Sequence, residues 1–289
     1  MKILVTGSNG QLGSEIRMLQ PAYPSFEFHF TDIAELDITD ELAIDALFSD
    51  FKPAVVINCA AYTAVDKAEE DEKTAFLINS EAVGNLARAA SKHDALLVHI
   101  STDYVFDGQG FRPYHEEDPT NPVSRYAKSK HAGENQIHSY SNKALIIRTS
   151  WLYSEFGHNF IKTIMKYGKE RGQLNVVFDQ VGTPTYANDL AKVILGILEK
   201  NPTFGGVEIF HYSNEGVTSW YDFAKAIIEF SGIHCRINPI ETKDYPLPAP
   251  RPFYSVFNKS KIKQRFQVEI PFWRDSLKVC IGRIRGNDE

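Results

Sequence analysis

The first thirteen residues constrain the fold more than any other stretch of the chain. The β-branched and apolar run Ile3-Leu4-Val5-Thr6 feeds directly into Gly7-Ser8-Asn9-Gly10-Gln11-Leu12-Gly13, which reads as a buried strand, a glycine loop and a helix start. Gly7 allows a tight turn that a Cβ would strain, Gly10 lets backbone N–H groups approach a pyrophosphate, and Gly13 lets the helix pack on the strand. A phosphate held there meets unpaired N–H groups and the positive end of a helix dipole. By spacing alone the same triplet is also compatible with an ordinary strand-to-helix turn, so its surroundings decide.

A second strand, residues 26–31, ends at Asp32. That is close to the ~20-residue offset at which a Rossmann unit places the carboxylate that accepts from a ribose hydroxyl. Taken alone, Asp32 is equally a solvated carboxylate at a strand end. From Asp32 to Glu41 the charged residues are Asp32, Glu35, Asp37, Asp40 and Glu41, with no Lys or Arg. Such a stretch repels a 2′-phosphate and favours NAD over NADP.

Strands at 3–6, 26–31, 54–59, 96–101 and 144–149 alternate with helices at 11–20, 41–51, 72–92 and 124–139. Val55-Val56-Ile57 is apolar on both faces, as a buried parallel strand must be. The rhythm predicts an α/β fold with a Rossmann-type, doubly wound parallel sheet, whose ligands bind at the carboxyl ends of the strands. The motifs fall at such ends: Gly7 to Gly13, Asp32, Ala60-Ala61-Tyr62-Thr63, Ser101-Thr102-Asp103 and Ser150-Trp151.

After Trp151 the rhythm loosens into helices at 159–172, 188–200 and 219–231, strands at 174–178 and 207–212, and a last helix at 273–285. The stretch Tyr245-Pro246-Leu247-Pro248-Ala249-Pro250-Arg251-Pro252 is a surface loop, because each Pro lacks a donor and restricts its predecessor. The expected division is a dinucleotide-binding domain over residues 1–151 and a smaller, discontinuous α/β substrate lobe over 152–289, with 176–200 free to return to the large domain.

With 289 residues and 43% hydrophobic content the chain can bury a full core. A net charge of −6 argues against a nucleic-acid footprint. No apolar run approaches the ~18 residues of a membrane span, and Met1-Lys2 leads straight into the first strand without a secretory signal, so a cytoplasmic protein is expected. Cys59, Cys235 and Cys280 are too few and too scattered for a disulfide framework or a Cys-based zinc site, and are expected to be buried free thiols.

Tyr126 and Lys130 stand four apart on a predicted helix and share a face. The spacing proves little by itself, since Tyr221 and Lys225 repeat it, and that copy reads as a packed Tyr and a solvated Lys. The first copy follows Ser101-Thr102-Asp103 at a distance that sets a hydroxyl-bearing strand end beside the helix. Reducing a ketone requires hydride at carbon and a proton at the developing alkoxide. A phenol supplies the proton, an ammonium one turn away is expected to lower its pKa, and Thr102 donates a second hydrogen bond to the carbonyl oxygen.

Together with Asn58-Cys59-Ala60-Ala61-Tyr62-Thr63-Ala64-Val65-Asp66, Ser101 to Gly108 and Arg148-Thr149-Ser150-Trp151-Leu152-Tyr153, these motifs resemble the extended short-chain dehydrogenase/reductases. Within them the resemblance is to the dTDP-4-dehydrorhamnose reductase family, and it extends to Asp179-Gln180-Val181-Gly182-Thr183-Pro184-Thr185 and Arg251-Pro252. It implies Thr102, Tyr126 and Lys130 as catalytic residues. It implies NADH or NADPH held by Gly7, Gly10, Gln11, Leu12, Gly13, Asp32, Asp37, Ile38, Ala61, Tyr62 and Thr63, with Tyr126, Lys130 and the relay residue Asn79. It also implies a dTDP-sugar against Thr102, Asp103 and Trp151. Arg251, in its proline-stiffened loop, offers a fork suited to the diphosphate.

Some members of the family hold Mg2+ through glutamates at a dimer interface, so a magnesium ion and a homodimer stay open. This chain keeps Glu15 but has Asn188-Asp189 where a further glutamate is wanted, and no His-Glu-x-x-His or other metal motif stands elsewhere. Three alternatives share the pattern. A 4,6-dehydratase wants Glu after Thr-Asp, where this chain has Tyr104. A 4-epimerase uses the same triad but retains its cofactor, and the regulatory subunit of methionine adenosyltransferase carries the pair as a binding protein.

Overall fold

A computed structural model describes residues 1–287. Its first half runs β1 (Lys2–Thr6), α1 (Gln11–Leu19), β2 (Glu27–Phe30), α2 (Glu41–Phe51), β3 (Val55–Asn58), α3 (Glu72–Phe76), α4 (Ala82–Lys92), β4 (Leu96–Thr102), α5 (Arg125–Tyr140) and β5 (Ala144–Thr149). The second half runs β6 (Leu152–Tyr153), α6 (Phe160–Arg171), β7 (Gln173–Val177), β8 (Val181–Gly182), β9 (Thr185–Tyr186), α7 (Ala187–Glu199), β10 (Val207–Tyr212), β11 (Thr218–Ser219), α8 (Trp220–Ser231), β12 (Arg236–Ile240), α9 (Ser260–Phe266) and α10 (Trp273–Asn287).

Six strands form one parallel sheet in the order β10-β5-β4-β3-β1-β2. Alternation along each strand feeds two core layers. Ile3, Val5, Ile57, Val98 and Ile147 face α1, α7 and α9, whereas Leu4, Val56, Leu97 and Ile146 face α2, α4 and α5. Each such side chain stabilises the fold by roughly 1.5–3 kcal/mol through burial. Because β1 lies between β2 and β3, the strand order reverses beside it and opens a crevice at its carboxyl end.

The strand Val207–Tyr212, which the loosened rhythm leaves with the smaller lobe, instead pairs with β5 and forms the sheet edge. Its first half is only half-buried, as an edge strand allows, so its pattern is weaker than that of the central strands. The smaller lobe packs α6, α8 and α10 around Phe223, Ile227, Trp273 and Ile281, beside the parallel pair β7 and β12. Two short ladders, β6 with β9 and β8 with β11, sit where the lobes meet.

The predicted helix over 72–92 is not continuous. One π turn, Leu77–Glu81, separates α3 from α4 and carries Asn79, consistent with the frequent placement of π turns at functional sites. The start of α5 is fixed by Ser124, whose hydroxyl accepts from the Ala127 N–H at 3.1 Å. That cap sets the phase at which Tyr126 and Lys130 turn toward β4.

Candidate active site

The glycine loop is built from close approaches. Gly7 has φ +64°, and a Cβ there would lie 2.5 Å from the Ala60 nitrogen. A Cβ on Gly13 would lie 2.5 Å from Ser8 Cα. Gly10 precedes α1 without a side-chain cap, and the first turn carries no acid, so the helix N-terminus is left for an anion. Leu12 is buried in the core, while Gln11 accepts from Asn159 at 3.0 Å and so ties the loop to the smaller lobe. Asp32 accepts from the Asn9 N–H at 2.9 Å, which brings the carboxylate of β2 onto the loop.

Two cavities meet here. One of about 620 Å³ is lined by Gly7, Asp32, Leu36, Asp37, Ile38 and Ile78, a polar rim over an apolar floor suited to an adenosine. The other, of about 570 Å³, contains Thr63, Thr102, Asp103, Tyr126, Lys130 and Trp151. Gly10, Cys59 and Ala61 line both, so the phosphate loop is their shared wall. Tyr62 and Asn79 lie behind that wall. The Asn79 amide is engaged by the Tyr62 N–H at 2.9 Å, the Tyr62 carbonyl at 3.0 Å and Ser129 at 3.0 Å, and so fixes the loop that carries Ala61 and Thr63.

Burial dominates the electrostatics of the triad. It pushes the Tyr126 phenol up to about 12, against the Thr102 hydroxyl, which favours the phenolate. It pushes Lys130 down to about 8, against the opposing pull of Glu134 and Cys59. The expected lowering of Tyr126 by Lys130 is therefore not what the structure has. Lys130 donates to the Ile100 carbonyl at 2.7 Å, and at Tyr126 desolvation of the phenolate dominates, with the Asp103 charge adding to it and the Thr102 hydrogen bond opposing it. Thr102 is buried, donates to Asp103 at 3.1 Å and accepts from the Tyr104 N–H at 3.2 Å. The Asp103 carboxyl is itself raised to about 7 by burial. Tyr221 and Lys225, the second pair, are far from this chemistry in kind: Tyr221 packs against the small-lobe core and Lys225 is exposed.

Trp151 has φ +48°, a left-handed conformation that a bulky residue adopts only when its surroundings hold it. The holder is Trp220, stacked on it with ring centroids 3.7 Å apart, and both rings line the second cavity. Sequence reading passed over Trp220, because nothing local marks a residue whose partner is 69 positions away. It also passed over Arg17, which the fold brings over the Phe30 ring at 4.3 Å and onto Ser8 of the glycine loop at 2.9 Å.

Arg251 is placed differently from the expectation. Its guanidinium grips Asp66 through two bonds of 2.6 and 2.7 Å and donates to the Ala249 carbonyl at 2.6 Å. It therefore clamps the proline loop to the loop after β3, and it does not line the 570 Å³ cavity.

Magnesium finds no support. Among the described residues no group of three or more His, Cys, Asp or Glu is placed to hold a metal. Glu15 is buried and raised to about 7 by that burial. Its oxygens already accept from Ser154 at 2.7 Å and Asn188 at 2.8 Å, while Asp189 faces Asn214 and Ser276. The cation at this place is Arg283, bonded to Glu155 at 2.9 Å and 3.9 Å from Glu15. The donor set does not fit a resident divalent ion.

The parallel sheet, the glycine loop at its switch point and the Thr-Tyr-Lys cavity define an oxidoreductase of the extended short-chain dehydrogenase/reductase class. The family model described as RmlD substrate binding domain matches residues 1–285. A dTDP-4-dehydrorhamnose reductase of Aggregatibacter actinomycetemcomitans is 40% identical over 285 residues, covering 96% of this chain and 97% of that protein. A solved dTDP-4-dehydrorhamnose reductase of Clostridium acetobutylicum superposes with a TM-score of 0.93 at 45% identity, over 99% of this chain and 100% of that one. Another, from Bacillus anthracis and in complex with NADP, gives 0.93 at 36% identity, over 98% and 99%. The chain belongs to the dTDP-4-dehydrorhamnose reductase family.

Proposed function

We propose that this protein reduces the C4 ketone of dTDP-4-dehydro-L-rhamnose to dTDP-L-rhamnose, using NADH or NADPH. The observation that carries the reading is the convergence of Thr102, Tyr126 and Lys130 on one cavity that reaches the glycine loop at Gly10. The names of the full-length relatives support the choice of nucleotide and sugar. The bound cofactor supplies the hydride.

The chain's own residues handle position and proton. Tyr126, held protonated by burial, is a proton donor at neutral pH toward an alkoxide that is far more basic. Thr102 turns its hydroxyl from Asp103 to the ketone oxygen and fixes it beside the phenol. Lys130 keeps a positive charge at the back of the cavity, and the Trp151–Trp220 stack forms an apolar wall that excludes water from the reacting carbon. The reading places the reaction in the cytoplasm, which cell fractionation tests.

The deciding assay follows absorbance at 340 nm, the reduced-nicotinamide band, with dTDP-4-dehydro-L-rhamnose as substrate. One cofactor oxidised per sugar reduced is expected. Isomerised sugar without net cofactor oxidation would indicate an epimerase. No turnover combined with capture of a methionine adenosyltransferase would indicate the binding subunit.

A further inference from the structure

Behind Lys130 a chain of buried polar groups runs into the sheet. The Lys130 Nζ lies 3.4 Å from His99 Nε2, and His99 Nδ1 lies 3.1 Å from Asn58 Nδ2. Asn58 Oδ1 accepts from the Ala60 backbone N–H at 3.1 Å and from the Thr6 hydroxyl at 2.8 Å. Thr6, Asn58, His99 and Lys130 are all at most 2% exposed. His99 interrupts the apolar run Leu96-Leu97-Val98, where packing alone asks for an aliphatic side chain.

Hydrogen-bond polarity fixes the protons of this chain. A backbone N–H only donates, so Ala60 holds the Asn58 oxygen toward itself and leaves the amide nitrogen facing His99. An amide nitrogen also donates, so His99 Nδ1 must present its lone pair. The single proton of the neutral ring therefore sits on Nε2 and points at Lys130. Burial and the nearby Lys130 charge keep the ring neutral, well below its usual range. An ammonium has only donors, so at this contact a donor meets a donor.

We propose that His99, locked by Asn58 as the Nε2–H tautomer, is a positioning residue for Lys130: by facing Nζ with an N–H in place of a lone pair, it directs the ammonium to the Ile100 carbonyl and eases its proton loss. Its kinetic consequence rests on the reductase reading, whereas the tautomer does not. The other groups facing Lys130 do not replace this control. Glu134 on α5 is attractive, but its oxygens are engaged by Ser101 at 2.5 Å and by Arg148 at 2.7 and 2.9 Å. Cys59, at the end of β3, is raised to about 12 by burial and stays a neutral thiol. Tyr126, on the same helix, stays a neutral phenol.

The test begins with the tautomer of His99 in the wild-type protein, read from long-range 15N–1H correlations of the ring. A proton on Nε2 is expected, and a proton on Nδ1 overturns the proposal. The second arm is Asn58→Asp, which keeps the acceptors for Ala60 and Thr6 but now also accepts from Nδ1. The ring should move its proton to Nδ1 and offer Nε2 to Lys130. In 13C-lysine spectra the Lys130 titration midpoint should then rise by about one pH unit or more, and the alkaline limb of kcat/KM should follow. Should Asn58→Asp fail to fold, His99→Leu removes the facing N–H and should raise the midpoint in the same direction. A Lys130 midpoint unchanged in a folded variant refutes the control. Absence of turnover in the wild type would sink the reductase reading and leave both spectroscopic results standing.

Discussion

Removing the Arg251 guanidinium separates two roles for it, a diphosphate ligand or a clamp between loops. Arg251 is 16% exposed and Asp66 37%. The pair therefore lies between a surface ion pair, worth ~0.2–1 kcal/mol, and a buried one, whose breakage costs ~3–5 kcal/mol. Asp66 can resolvate and keeps the Ala249 N–H at 3.2 Å, which discounts the loss toward the lower figure. We expect Arg251→Ala to cost about 1.5–2 kcal/mol, a fall in Tm of roughly 3–6 °C for a chain of this size. Calorimetry of Arg251→Ala, Asp66→Asn and the double variant should give a coupling of about 1 kcal/mol. The bond to Arg251 holds the Asp66 carboxyl below its ordinary value. The coupling should thus be fully present above about pH 4 and fade as pH falls through the lowered value. Strictly additive variants would refute the clamp. Unchanged Tm with a large loss of dTDP-sugar affinity would return Arg251 to the diphosphate.

Tyr126→Phe should keep the fold and lose roughly 10²- to 10⁴-fold in kcat, whereas Tyr221→Phe should leave kcat within about twofold; equal effects would mean that the spacing misled. NADH should be accepted at least as well as NADPH, because a 2′-phosphate faces Asp32, and Arg17→Ala should raise the KM for NADPH more than that for NADH. A strong NADPH preference in steady-state kinetics would contradict the first half. Arg283→Ala should destabilise the protein by about 1–2 kcal/mol, discounted for a guanidinium 40% exposed, because Glu15 and Glu155 lose their counter-charge. EDTA should leave the wild-type Tm unchanged, and a fall on chelation would show a bound metal.

The parallel sheet was legible because its signals are local. A continuous apolar run such as Val55-Val56-Ile57 and a Cβ excluded at Gly7 and Gly13 each act within a few residues, so the amino-acid order carries them directly. That Thr102, Tyr126 and Lys130 stand close enough to share one cavity was legible for the same reason, one coming from a strand end and two from a single helical turn. The edge strand β10 was harder to place, since one half-buried face leaves a weak pattern, and the π turn at Asn79 has no compositional mark.

By itself the sequence determined the main strands and helices of the first half, which polar groups stand at the strand ends, and that the segment after Asp32 is acidic. Only the tertiary structure decided what those groups meet. It paired Arg251 with Asp66 outside the 570 Å³ cavity, set Trp220 behind Trp151, and put Arg283 where a metal was open. It also reversed the expected balance at Tyr126 and Lys130. The pKa of a buried group depends on how much water the whole fold removes from it, and desolvation sums over segments far apart in the chain.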